Sequence, residues 1–153
     1  MTSKVVVGIV AGLIGGLVFG IMMAMMSAPD GKPMMQMIAM VVRSDSVIVG
    51  WLYHLFNSAV IGGLFGLMLG ARVAGYGSGL IWGMVWGMVW WILGGLILMP
   101  LALGMPMFAP IAMEPMRVMA VMSLMGHLIF GAIMGLAFFL LFARVPARVE
   151  AGA

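Results

Sequence analysis

Four unbroken apolar runs, residues 5–26, 47–71, 79–99 and 118–143, decide what this chain can fold into. None contains an Asp, Glu, Lys or Arg. Each meets the length of about 20 residues that a helix needs to cross some 30 Å of hydrocarbon. A helix satisfies its own backbone groups, which a lipid interior demands. A membrane β-barrel would need alternation over about ten residues, which these runs lack. The sequence therefore predicts an all-α membrane protein, a four-helix transmembrane bundle occupying residues 1–153 as one domain. Composition agrees: 65% of residues are hydrophobic and 7% charged, against roughly 45–50% and about 25% in soluble domains.

The connections carry the punctuation. Pro29, Asp30, Gly31 and Pro33 end the first span, and Ser44, Asp45 and Ser46 offer caps to the second. Gly77 and Ser78 do so for the third, after a tight turn over residues 72–78. Pro100, Pro106, Pro110 and Pro115 break up the long connection before the fourth. Residues 1–4 carry too little charge for a signal-peptide head, so the first run is read as a retained helix.

The second half echoes the first. Arg43, His54 and Ala71-Arg72-Val73 match Arg117, His127 and Ala143-Arg144-Val145, while Gly8, Gly12, Gly16 and Gly20 are echoed by Gly79, Gly83 and Gly87. This predicts two two-helix repeats, about 5–73 and 79–145. Two spans per unit make the repeats parallel, related by an axis along the membrane normal. Lys4, Arg72, Arg144 and Arg148 share the side of both termini, with Lys32, Arg43 and Arg117 opposite. Arg72 and Arg144 abut their helices, so the positive-inside rule predicts an inner-membrane protein with both termini in the cytoplasm.

Small residues at four-residue steps bring membrane helices close together. Gly12, Gly16, Gly62, Gly66, Gly83, Gly87, Gly131 and Gly135 are the expected packing positions. Trp82, Trp86 and Trp90 share one face of the third span; the ordinary reading is an aromatic ridge toward lipid or a partner, and the rarer one a cofactor wall.

His54 and His127 are the only histidines, and both lie inside spans. At 1.5 Å per residue they sit roughly 10–14 Å below the surface carrying Arg43 and Arg117. An ionisable group at such depth marks a candidate site. Three readings stay open. In the first, each imidazole bonds a neighbouring backbone group or hydroxyl, with Ser58 and Ser123 one turn away. In the second, the pair ligates haem b, with Arg43 and Arg117 meeting the propionates. In the third, histidine and thioether sulfur hold Cu(I), Met105 and Met107 forming a short ligand pair among 21 methionines.

Other chemistries are excluded. Cysteine is absent, so there are no disulfides, thiolates or cysteine metal sites. Asp30, Asp45, Glu114 and Glu150 all fall outside the spans, leaving no intramembrane carboxylate for a proton relay. No nucleophile turn surrounds Ser58 or Ser123, and there is no phosphate-binding loop. A net charge of +3 on so few charges is a topology signal and not a nucleic-acid footprint.

His54 with Gly62-Gly63 and Gly66, Gly79 with Gly83, Met99-Pro100-Leu101, and Gly126-His127-Leu128 leading to Gly131 and Gly135 carry a resemblance. On these positions the chain resembles an uncharacterised family of small bacterial four-span integral membrane proteins. The methionine excess departs from that family's pattern. The resemblance implies the architecture and carries no activity. The expectation is a non-enzymatic membrane component, accessory to a larger membrane complex or self-associating, with the lipid bilayer as its surroundings and haem b or Cu(I) as the alternative ligands.

Overall fold

The computed structural model describes residues 2–28 and 30–143. Among these it is helical, with no strand beyond an isolated bridge between Ser27 and Pro33. The long helices are α1 (Thr2–Ala24), α3 (Val47–Met68), α4 (Tyr76–Trp90) and α7 (Arg117–Phe142). Between them lie α2 (Met34–Met40), α5 (Met99–Ala102) and α6 (Ala109–Ala112). A π-helical stretch, Trp91–Leu98, joins α4 to α5. Four helical segments are long and apolar enough to cross a membrane: Ser3–Ala24, Val47–Met68, Tyr76–Ala102 and Glu114–Phe142. The matched triplet at residues 143–145 and the flanking Arg144, Arg148 and Glu150 lie outside the described residues, apart from Ala143.

Local chemistry sets the helix ends. Ser46 caps α3, its hydroxyl accepting from Val49 N–H at 3.5 Å. At α4 the expected start at Gly77–Ser78 shifts back to Tyr76. The Ser78 hydroxyl accepts from the N–H groups of Ala74 (2.9 Å) and Gly75 (3.0 Å), and this anchors the turn before the helix. Between α1 and α2, Lys32 donates its backbone N–H to the Asp30 carboxylate at 3.2 Å, and its ammonium lies 3.1 Å away. These contacts hold the exposed Asp30 carboxyl below its ordinary value.

Two connections read as loops are partly helical. α2 packs on the start of α3, where Gly50 leaves room for the Met35 carbonyl. The π-helical pairing, in which Met99 N–H returns to the Gly94 carbonyl five residues back, stops at Pro100, which has no N–H. The Leu96 carbonyl accepts from Phe108 N–H at 2.7 Å, folding the chain back under the bundle. Phe108 makes that reversal at a φ of 61°, after Gly104 at 75°.

The helices pair through glycine, α1 on α3 and α4 on α7. A Cβ on Gly12 would lie 2.8 Å from Gly62 Cα, and one on Gly83 would lie 3.1 Å from Gly135 Cα. The two pairs use corresponding positions. In the register aligning His54 with His127, Gly12 meets Ser58 and Gly62 as Gly83 meets Gly131 and Gly135.

The seams between the two pairs are unlike. α1 packs closely along α7, whereas α3 and α4 make almost no close backbone approach. Side chains at corresponding positions explain the difference. On the closed seam, Gly126 makes room for the Phe19 ring and Gly15 sits against the Phe130 carbonyl. On the open seam Tyr53 stands where Gly126 would be and Trp90 where Phe19 would be. Trp86 takes the place of Gly15, its indole donating to the Ile61 carbonyl at 3.1 Å across the gap. Bulky aromatics thus wedge α3 from α4. The tryptophan ridge faces inward, contrary to the ordinary expectation: Trp86 is buried in the core, with Trp82 and Trp90 packed against it.

Candidate functional site

The open seam leaves a chamber of about 500 Å³ at the end of the bundle holding the two long connections. Toward the other end, buried Phe65, Trp86 and Phe138 fill the core, Phe65 lying edge-on to Phe138 with ring centroids 5.5 Å apart. A volume of this size falls in the range of ligand sites, roughly 300–1,000 Å³.

Both histidines line the chamber. His54 reaches across from α3 to α1, where its Nε2 lies 2.8 Å from the Gly16 carbonyl. Absent side chains at Gly16 and Gly20 make this approach feasible: a Cβ on Gly20 would lie 3.1 Å from His54 Cδ2. His127 keeps to its own helix, Nδ1 lying 2.8 Å from the Ser123 carbonyl. A carbonyl oxygen only accepts, so each contacting nitrogen carries the proton. The tautomers are therefore opposite, Nε2–H for His54 and Nδ1–H for His127. Nδ1 of His54 and Nε2 of His127 keep their lone pairs, with no protein hydrogen bond among the described residues. Phe19 packs edge-on against both imidazoles, at centroid distances of 5.7 Å and 4.9 Å.

Methionine is the other feature of the wall. Met23 comes from α1 and Met26 from just beyond it, Met34 and Met37 from α2, Met99 from α5 and Met105 from the connection that follows. Met116, Met119 and Met122 come from the start of the fourth. Trp90 also lines the chamber, and its Nε1 is the one sealed side-chain nitrogen or oxygen without a partner among the described residues.

Other expected site residues stand apart. Arg43 is exposed, at a φ of 58°, and does not line the chamber. Arg117 is also exposed and spends its Nε on the Ile111 carbonyl at 3.2 Å. Neither guanidinium is placed to meet an anionic edge of a ligand held between the histidines. Met105 lines the chamber, but its expected partner Met107 is 54% exposed and points elsewhere. Of the packing glycines, Gly12, Gly62, Gly66, Gly83, Gly87, Gly131 and Gly135 sit at backbone contacts, while Gly16 sits against the Ser58 side chain.

Sequence reasoning missed Tyr53, and it named Trp90 only as part of an aromatic face. A signal existed: comparing the two halves in register sets Tyr53 against Gly126 and Trp86 against Gly15, so one seam had to be wider. No protein-family model matches this chain, and neither a curated protein nor a solved structure matches it.

Proposed function

We propose that the protein is a non-enzymatic membrane component that holds a ligand in the chamber beneath its two long connections. The observation that carries this is the chamber itself, which an ordinary packed bundle would have closed. Protein interiors are packed to crystal-like density with few voids. Here aromatic residues prop one seam open, and both histidines of the chain line the space. Among the described residues the lining carries the free imidazole nitrogens and the polar side chains of Tyr53, Asn57, Ser58, Ser123 and Trp90, and it has no carboxylate or thiol to do chemistry. The corresponding glycine contacts support a duplicated parallel two-helix unit. The charges beside α1, α3 and α4 support an inner-membrane protein with both termini in the cytoplasm, working as an accessory or self-associating component.

Haem b fits less well than sequence spacing suggested. Phe19 packs against both imidazoles, His54 has its Nε2 committed to Gly16, and neither arginine lines the chamber.

Filling the chamber tests the reading. A Cβ on Gly95 would lie 3.5 Å or more from Trp91, Ser123 and His127, so a side chain can start there without collision. Gly95→Leu is expected to keep the fold and lose whatever small molecule or metal copurifies with the wild type, read by metal analysis and mass spectrometry of an extract. Equal content in both proteins, or nothing bound to either after incubation with membrane extract and metals, contradicts the proposal.

A further inference from the structure

We infer that the chamber is a site for a soft monovalent cation, copper(I), held by the free imidazole nitrogens together with thioether sulfurs. The inference rests on the ligand-holding reading and names its ligand. Three observations converge on it.

The first is donor type. Nine methionines from four separate parts of the chain converge on a wall that also carries both histidines. Thioether and imidazole together select copper(I) over harder ions. Among the described residues no group of three His, Cys, Asp or Glu comes together, so zinc, iron and calcium find no donor set.

The second is charge. Desolvation cost rises with the square of the charge, so a divalent ion suffers about four times the penalty of a monovalent one. A divalent ion needs anionic ligands at this depth, and among the described residues the lining contains no Asp or Glu. Neutral soft donors match a single positive charge.

The third is orientation. Each imidazole already gives its N–H to a backbone carbonyl at 2.8 Å. That outer bond is how metal-binding histidines are held in one tautomer with the other nitrogen free. His54 presents Nδ1 and His127 presents Nε2. Met23 on α1, one turn beyond Phe19, and Met119 and Met122 on α7, within about two turns before His127, line the same chamber.

The test uses the full chain in nanodiscs, titrated anaerobically with copper(I) from its bicinchoninate complex, with X-ray absorption on the product. Expected is one copper per chain with both nitrogen and sulfur scatterers. Replacing Met23, Met99 and Met119 together by Leu keeps bulk and apolarity but removes sulfur. It is expected to weaken binding by about 100-fold or more, at least the loss seen when outer-shell partners are removed. His127→Phe is expected to remove the nitrogen signal in part and weaken binding similarly, with helix content unchanged by circular dichroism.

Copper bound equally well by the leucine variant overturns the inference. So does failure to bind copper while 1-aminoanthracene is taken up by the wild type and not by Gly95→Leu; that result leaves the chamber reading standing. Failure of both ligands overturns the two together.

Discussion

Gly12→Leu is expected to prevent assembly of the bundle, and Gly83→Leu to do the same from the other helix pair. Overpacking usually costs about 1–3 kcal/mol because side chains can shift. At these two positions the colliding atoms are backbone: Ser58 O and Gly62 Cα face Gly12, and Gly131 O and Gly135 Cα face Gly83. A backbone cannot move aside without separating the helices along their length, so the cost is expected at or above the upper end of that range, about 3 kcal/mol. Gly77→Leu is the control, since nothing lies within 4 Å of a Cβ there. Thermal unfolding followed by size-exclusion chromatography in detergent checks the set. Wild-type behaviour of Gly12→Leu would show that α1 and α3 do not pair through these glycines.

The second large effect belongs to the closed seam. Gly126→Tyr places on α7 the residue that stands at the corresponding position, Tyr53, on α3. A Cβ on Gly126 would already fall within 2.8 Å of several Phe19 ring atoms. The variant is expected to force α1 from α7 and destabilise the protein by about 3 kcal/mol. Because the colliding group is a side chain, Phe19→Ala is expected to restore much of the loss. The coupling between the two substitutions should fall in the range of about 0.5–3 kcal/mol found for residues in contact. Additive effects would mean that Phe19 does not occupy the space beside Gly126.

Much of the fold was legible because its signals are local. Apolar run length located four spans, and four-residue glycine spacing located the faces on which α1 meets α3 and α4 meets α7. Two features were not legible, for physical reasons that differ. α2 is seven residues of mostly apolar sequence between prolines and turns, too short for periodicity to separate it from a loop. Its seat on α3 is at Gly50, fifteen residues after the Met35 whose carbonyl it admits, a contact that no local pattern encodes.

The chamber was hidden for another reason. Each histidine was identifiable as a buried ionisable group, yet whether they face a void depends on which seam closes. That choice is made by pairs distant in sequence: Phe19 with Gly126 on one side, Trp90 with Tyr53 on the other. The tryptophans at four-residue spacing announced a face but not its direction. Their inward orientation follows once Trp86 is seen donating to Ile61 across the open seam. The arginines mislead for a related reason. Their sequence distance from the histidines suggested a common site, while exposed positions, Arg43 in a turn and Arg117 at the start of α7, carry them away from it.

Solid-state NMR of ¹⁵N-histidine-labelled protein in lipid bilayers tests the site most directly. Two neutral rings of opposite tautomer are expected, His54 protonated at Nε2 and His127 at Nδ1, each showing correlations to the Phe19 ring. A matching pair of tautomers, or either imidazole correlating with lipid methylene protons in place of Phe19, would contradict a shared chamber inside the bundle.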